Sequence, residues 1–249
     1  MIHFVGGGPG AADLITLRAA ALLAEADVVV YAGTYLEGGV LEHCRDDVRL
    51  VDTQDLNLDQ ITAELVTSHL AGKQVVRLCS GDPSLYSALA EQTVRLDAAE
   101  VPWDVTPGVP AYAAAAAVLG RELTVPLLSQ SVVLTRTQAR STAMPSSEAL
   151  ADFAATGATL VLHLAITRTW ELAAELSKHY GPTCPVAVVY RASQPEQVVL
   201  RGTLADIADQ VREAGLKQAA VILVGEVLDP QRVAESYLYD AARDRSSKR

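Results

Sequence analysis

Short runs of aliphatic and β-branched residues alternate along this chain with longer stretches whose apolar residues recur at helical spacing. In the first half, the runs are IHFV (2–5), DVVVY (27–31) and QVVRLC (74–79). Between the last two lies LDQITAELVTSHLAGK (58–73), which predicts a helix that ends near Gly72. This alternation predicts an α/β fold, in which parallel strands form a sheet and helices cover its faces.

The alternation is interrupted at 121–130, where Pro126 occurs and no period is visible. It resumes with the runs SVVLT (131–135), ATLVLHL (158–164), PVAVVYRA (185–192) and AAVILVGEVL (219–228). A weaker run, QVVLRGTL (197–204), could pair as a strand with the run before it. We therefore predict two α/β domains, one over 1–120 and one over 131–249 with a polar tail from about residue 230, joined by the linker 121–130.

The charge balance and the cysteines argue against several classes of protein. Lysine and arginine number 20 against 30 aspartates and glutamates, which gives a net charge of −10. An acidic chain without a basic block is a poor candidate for binding nucleic acid or a membrane surface. Cys44, Cys79 and Cys184 lie far apart and predict neither disulfides nor a metal site. Without a signal peptide or an apolar run of about 18 residues, we expect a cytoplasmic protein.

The glycine-rich segment after the first predicted strand contains Gly6, Gly8 and Ala11, which fit the G-x-G-x-x-A pattern of a dinucleotide-binding loop. Three features count against a phosphate site. Pro9 has no N–H to donate, Asp13 would repel phosphate, and no acidic residue follows DVVVY. We expect instead a tight turn into a helix capped by Asp13, at the strand ends where α/β sheets bind ligands.

Three further segments at predicted strand ends carry residues suited to binding. In SGDPSLY, Gly81 permits an unusual backbone angle, and Asp82 either contacts a ligand or caps a turn. LTRTQARSTAMP (134–145) carries two arginines in an acidic chain, and these either bind carboxylates or are solvated. The small residues of TPGVPAYAAAAAVLG (106–120) are more typical of tight helix packing than of a ligand site. No nucleophile motif and no histidine pair with metal-ligand spacing occurs.

Taken in order, the segments VGGGPGAADLIT, SGDPSLY, TPGVPAYAAA, LVLHLA, PVAVVYRAS, LRGTL and AAVILVGEVL resemble the tetrapyrrole (corrin and sirohaem) methyltransferase family. The resemblance implies two α/β domains with a cleft between them for S-adenosylmethionine (SAM), and a homodimer. VVYAGTYLEGGVLEHC, LTRTQARSTAMP and PVAVVYRASQPEQVVLRGTLADI are most similar to the members that methylate C11 of precorrin-4 in cobalamin biosynthesis. The resemblance leaves open the cobalt complex of precorrin-4, or another tetrapyrrole position, as the acceptor.

The resemblance also implies which residues contact SAM. They are Pro9, Ser80, Gly81, Asp82, Leu85, Pro110, Ala111, Leu164, Ala192 and Ala220. Asp82 would hold the ammonium group of SAM. Two alternatives stay open beside a methyltransferase, namely an NAD(P)-dependent oxidoreductase built on the glycine pattern and a SAM sensor without catalytic activity.

The implied tetrapyrrole substrate carries many carboxylates, so an acidic protein must bind it at a locally basic site. We expect its carboxylates to contact Arg136 and Arg140, with Arg121 and Arg168 as further candidates. Tyr35 and Tyr112 are candidates for positioning the substrate. Methyl transfer from a sulfonium needs alignment of the reacting atoms more than acid–base help, and no catalytic base is assigned.

Overall fold

A computed structural model describes residues 1–33, 39–137, 143–232, 235–239 and 242–243. The predicted site residues Tyr35 and Arg140 lie outside these ranges. The chain forms two compact units. The first consists of Met1–Ala114 with Arg191–Pro195, and the second of Ala115–Tyr190 with Glu196–Arg249. The short segment Arg191–Pro195 thus belongs to the first unit, although its neighbours along the chain are in the second.

The first unit is built on a parallel sheet of five strands. They are β1 (Ile2–Gly6), β2 (Val28–Tyr31), β3 (Arg49–Asp52), β4 (Val75–Cys79) and β5 (Trp103–Thr106). The order across the sheet is β3-β2-β4-β1-β5, and each neighbouring pair is parallel. The predicted parallel α/β sheet is therefore confirmed. Strand β3 was not predicted, because this edge strand is mostly exposed and carries no apolar run.

Helices cover both faces of this sheet. They are α1 (Leu17–Glu25), α2 (Leu58–Leu70) and α3 (Leu89–Ala98). Helix α4 (Ala111–Leu119) follows β5, and it begins in the first unit and ends in the second. On one face, Phe4 packs with Leu65 of α2 and Leu96 of α3, and on the other Val5 packs with Leu23 of α1. Because helices bury both faces, the central strands β1, β2 and β4 are mostly apolar, whereas the outer strands β3 and β5 carry exposed residues.

Two helices begin later than the sequence predicts. Asp13 lies in a 3-10 turn and does not cap α1, since the side chain of Thr16 accepts the capping hydrogen bond from Ala19 N at 3.2 Å. Helix α3 begins at Leu89, although the sequence predicts a helix over LYSALAEQTVRLDAAE (85–100), because Tyr86 and Ala88 both have a φ of +54°. The turns that follow β1 and β4 are therefore longer than expected.

The second unit contains a mixed sheet. Its strands are β6 (Val132–Arg136), β7 (Thr159–His163), β8 (Pro185–Tyr190), β9 (Val198–Thr203) and β10 (Ala220–Val224), in the order β6-β7-β10-β8-β9. Only β6 and β7 pair in parallel, since β10 runs antiparallel between β7 and β8, and β9 pairs antiparallel with β8. The predicted strand over 197–204 is thus confirmed, whereas a parallel arrangement throughout is wrong.

Three helices pack on the second sheet. They are α5 (Leu150–Ala155), α6 (Thr169–Tyr180) and α7 (Ile207–Glu213). Their core contacts include Leu176 of α6 and Ile207 of α7 against Leu160 and Val188 of the sheet. Within the described ranges, no helix is both long and apolar enough to cross a membrane.

Candidate functional site

Three turns of the first unit meet where β1, β4 and β5 end. A Cβ atom built on Gly6 would lie 2.5 Å from the backbone nitrogen of Gly108 and 2.8 Å from the carbonyl oxygen of Gly81. A Cβ on Gly108 would collide with the same oxygen of Gly81. Any side chain at Gly6 or Gly108 would therefore separate the turns, and these glycines allow three backbones to approach closely.

The first two turns are also joined by a pair of backbone hydrogen bonds. Gly8 N donates to Gly81 O at 3.2 Å, and Gly81 N donates to Gly8 O at 2.8 Å. Gly8 has a φ of +75° and Gly81 one of +66°, values that glycine adopts without steric cost. The N–H groups of both glycines are thus used inside the protein and do not point at a phosphate.

Asp82 links the second turn to the third. Its Oδ2 accepts a hydrogen bond from Gly108 N at 2.8 Å, and its Oδ1 accepts from Ser84 N at 2.8 Å and from the Ser84 hydroxyl. Burial raises the pKa of this carboxyl, but the hydrogen bonds from Ser84 and Gly108 outweigh burial and hold the pKa below its ordinary value. Asp82 is therefore ionised at neutral pH, and it acts at least as a turn residue.

The other predicted residues of the second and third turns lie around this junction. Ser80 is exposed, Leu85 is half-buried, and its N–H donates to Asp82 O at 3.2 Å. A Cβ on Gly81 would lie 3.6 Å from both Pro110 Cα and Ala111 N, so the start of α4 is adjacent to the second turn.

The Pro9–Gly10–Ala11 turn is held by residues from much later in the chain. Gln194 Nε2 donates to Pro9 O at 3.0 Å, and Ala11 N donates to Ser193 Oγ at 3.2 Å. Ala192, a predicted cofactor residue, is buried beside them. The first unit therefore brings together Pro9, Ser80, Gly81, Asp82, Leu85, Pro110, Ala111 and Ala192. Sequence reasoning did not single out Ser193 and Gln194, because contacts across more than 180 residues leave no local pattern.

One end of the strands of the second sheet carries three predicted site residues, Arg136, Leu164 and Ala220. Leu164 follows β7, has a φ of +52° and is 54% exposed. Ala220 begins β10, whose antiparallel pairing with β7 starts at Ile222 and Leu162. Arg136 ends β6, the parallel neighbour of β7.

The remaining predicted substrate residues lie on several elements. Arg136 Nη2 donates to Ala143 O at 3.4 Å, Arg121 follows α4, and Arg168 immediately precedes α6. Tyr112 is half-buried in the first turn of α4. A cavity of about 380 Å³ in the second unit is lined by other residues, Leu128–Ser131, Val133 and Thr156–Ala158.

Comparison with known proteins matches residues 1–208 to the model of the tetrapyrrole (corrin/porphyrin) methylases. The precorrin-4 C(11)-methyltransferase of Rhodococcus erythropolis is 52% identical over 246 residues, which cover 99% of each chain. The X-ray structure of a cobalt precorrin-4 methyltransferase superposes with a TM-score of 0.89 at 36% identity, covering 92% of this chain and 96% of that one. A uroporphyrin-III C-methyltransferase from Thermus thermophilus, complexed with S-adenosylhomocysteine, has a TM-score of 0.76 at 30% identity, covering 91% and 98%.

Proposed function

Because this chain belongs to the tetrapyrrole (corrin/porphyrin) methylase family, we propose that it transfers the methyl group of SAM to C11 of precorrin-4 in cobalamin biosynthesis. The observation that carries the proposal is the near full-length likeness to the Rhodococcus precorrin-4 C(11)-methyltransferase. The turns at the ends of β1, β4 and β5 would supply those cofactor contacts that lie in the first unit.

The chemistry of these turns fits SAM better than a dinucleotide. A pyrophosphate would meet the ionised carboxylate of Asp82 and the proline nitrogen of Pro9, which has no proton to donate. SAM carries a positively charged ammonium and sulfonium, which an ionised carboxylate attracts. Pro9, Ala111 and Ala192 are small apolar residues, of which Ala111 is half-buried and Pro9 and Ala192 are buried. An adenosine group would pack against Ala111. These features support SAM and disfavour the NAD(P) alternative.

The protein's task in this reaction is to bind and align. When bound, SAM supplies an electrophilic methyl group together with its own leaving group. The turns are held rigidly by the Gly8–Gly81 hydrogen bonds and by the Asp82–Gly108 hydrogen bond. Such rigid positioning lowers the barrier of an in-line transfer without acid–base chemistry. We propose Pro9, Ser80, Gly81, Asp82, Leu85, Pro110, Ala111, Leu164, Ala192 and Ala220 as the cofactor contacts.

Substrate binding is assigned to basic residues within an acidic protein. We propose that Arg136, with Arg140, binds carboxylate side chains of the tetrapyrrole, and that Arg121 and Arg168 contribute further. Arg136 ends β6, and Leu164 follows the parallel neighbour β7 at the same end of the sheet. This position supports a role for Arg136 in binding the substrate. Guanidinium groups suit this task, because they bind carboxylates through two parallel hydrogen bonds.

The acceptor is proposed to be metal-free precorrin-4. The relative that bears this name is 52% identical, whereas the superposed cobalt precorrin-4 methyltransferase is 36% identical. To test the proposal, the purified protein is incubated with SAM and, separately, precorrin-4, cobalt-precorrin-4 and uroporphyrinogen III, and each product is analysed by mass spectrometry. We expect one added methyl on precorrin-4, located at C11. If cobalt-precorrin-4 or uroporphyrinogen III is methylated faster, that compound is the substrate and the proposal of precorrin-4 is wrong.

Calorimetry separates the remaining alternatives. We expect binding of SAM and none of NADH, and the reverse would indicate an oxidoreductase. SAM binding without methylation of any tetrapyrrole would indicate a sensor.

We also propose a cytoplasmic homodimer, as the family resemblance implies. Sedimentation equilibrium across a range of protein concentrations tests the dimer.

A further inference from the structure

A short loop from the second half of the chain completes the first unit. It comprises Arg191–Pro195 and connects β8 to β9. Two of its side chains bond the turn after β1: Ser193 Oγ accepts from Ala11 N at 3.2 Å, and Gln194 Nε2 donates to Pro9 O at 3.0 Å. We call Arg191–Pro195 the clasp loop.

The clasp loop supplies a hydrogen bond that the turn itself lacks. Ala11 occupies the N-cap position of the 3-10 turn Ala12–Leu14, so its own backbone N–H is not used within the turn. The backbone N–H at such a position needs an acceptor when it is shielded from water. Ser193 Oγ provides that acceptor from a place 182 residues further along the chain.

The shape of the turn matches the clasp loop as well. Gly10 has a φ of +139°, and a Cβ built on it would lie 2.6 Å from Gln194 Cδ and closer still to the neighbouring side-chain atoms. Only glycine therefore leaves room for Gln194 to lie across the turn and reach Pro9 O. The glycine pattern of the opening segment thus serves a side chain of the clasp loop.

The clasp loop is itself held in an uncommon conformation. Arg191 has a φ of +44° and Ser193 one of +70°, although neither is glycine. Gln194 N donates to Arg191 O at 3.0 Å and closes the loop on itself. Non-glycine residues keep such angles where the surrounding structure requires them, which is frequent at ligand sites.

We propose, on the basis of the function proposed above, that Ser193 and Gln194 are positioning residues of the SAM site. They do not touch the reacting atoms. They hold Pro9 and Ala192, two proposed cofactor contacts from opposite halves of the chain, in one fixed arrangement before the cofactor binds. Loss of either hydrogen bond releases the turn, and part of the binding free energy is then spent on ordering it.

The test uses the full-length protein and titration calorimetry with S-adenosylhomocysteine (SAH). Gln194→Met keeps the length of the side chain and removes the donor, while Ser193→Gly removes the acceptor and suits the φ of +70°. Gln130→Ala is the control, since this glutamine is exposed and its side-chain amide donates to the carbonyl oxygen of its neighbour Ser129. We expect the dissociation constant of SAH to rise about three- to tenfold in each clasp variant and to stay unchanged in the control.

Two readouts separate positioning from general damage to the fold. The KM for SAM should rise in the clasp variants while the KM for precorrin-4 stays the same. Hydrogen exchange of the Ala11 amide, measured without ligand, should accelerate in Ser193→Gly, because that amide loses its acceptor.

The possible failures are distinct. If the unsubstituted protein does not bind SAH, the proposed function itself is overturned. If it binds SAH and both clasp variants bind equally well, the positioning role is overturned and the proposed function stands. Equal rises in the KM for SAM and for precorrin-4 would likewise overturn a role confined to the cofactor site.

Discussion

Gln92 of α3 accepts a hydrogen bond of 2.9 Å from Nε of Arg77, an arginine buried in the centre of the first sheet. Arg77 also donates from Nη1 to Val30 O at 3.1 Å, and burial lowers the pKa of its guanidinium. The amide of Gln92 donates in turn to the carbonyls of Ser87 and Ala88. This pair thus ties the core to the turn that follows the Asp82 segment.

Gln92→Leu removes the acceptor of a buried, charged donor. We expect the free energy of unfolding to fall by about 1–3 kcal/mol, because the Arg77 Nε group then loses its partner. The double variant Arg77→Met/Gln92→Leu should recover part of this loss, since it removes the charge as well. Urea unfolding monitored by circular dichroism measures both values.

The matched control for that pair is Arg95→Met. Arg95 bonds the exposed Asp59 at 3.1 Å, and surface ion pairs of this kind contribute about 0–1 kcal/mol. A double variant no more stable than Gln92→Leu alone would contradict the assignment of the loss to an unpaired guanidinium.

Gly108→Ala tests the meeting of the three turns. The added methyl would collide with Gly81 O. We expect the free energy of unfolding to fall by at least about 2 kcal/mol and the binding of SAH to weaken. Gly181→Ala is the control, because Gly181 has a φ of +83° but open space around it. That control should lose about 1 kcal/mol and bind SAH normally. Normal SAH binding by Gly108→Ala would show that the junction does not shape the cofactor site.

Asp82→Asn should make the free energy of unfolding vary less with pH in the acid range. The folded pKa of Asp82 lies below its unfolded value of about 3.9. A lowered pKa contributes stability above the unfolded value, and this contribution is lost as the pH falls through the folded value. The unfolding free energy of the unsubstituted protein should therefore exceed that of Asp82→Asn at neutral pH and approach it below about pH 4. A difference that stays constant with pH would contradict an ionised Asp82.

The three cysteines should react in a set order with a thiol reagent. Cys44 is half-buried, whereas Cys79 and Cys184 are buried. Burial raises the pKa of all three thiols, that of Cys184 to about 12, so the order of reaction should follow how exposed each thiol is. We expect Cys44 to react first in the native protein and all three to react in denaturant. Peptide mapping after a short labelling pulse, with Cys44→Ala as control, identifies the order.

Arg136→Ala should raise the KM for precorrin-4 and leave the KM for SAM unchanged. The reason is that the variant lacks a cation that binds substrate carboxylates. Added salt screens this attraction, so it should weaken precorrin-4 binding more in the unsubstituted enzyme than in the variant. Arg140→Ala is expected to behave in the same way. Lys178→Ala, which removes a cation from α6, serves as control. Unchanged substrate kinetics in both arginine variants would remove them from the site.

The sequence predicts those parts of this protein that follow from local pattern. Buried strands such as β1 and β4 are mostly apolar, with His3 and Arg77 as the exceptions, because helices cover both faces of their sheet. The mixed order of the second sheet has no such signal, since the direction of β10 depends on where the chain returns and not on its composition.

The candidate site divides in the same way. The glycine turns are visible in the sequence, because glycine marks positions where a side chain does not fit. The partners of those turns are not, since Asp82 Oδ2 and Gly108 N are 26 residues apart and Ser193 and Ala11 are 182 apart. Asp13 shows the opposite error, because a plausible local cap was displaced by Thr16 three residues later.

The clasp loop also has a consequence for how the protein is made. When a ribosome has synthesised the first 114 residues, all five strands of the first sheet exist, but Ser193 and Gln194 do not. In a nascent first unit, the Ala11 N–H and the Pro9 carbonyl therefore lack their hydrogen-bond partners until Ser193 and Gln194 have been synthesised. Cutting the gene near residue 120 would separate the opening turn from the residues that hold it, even though every strand of its sheet would be retained.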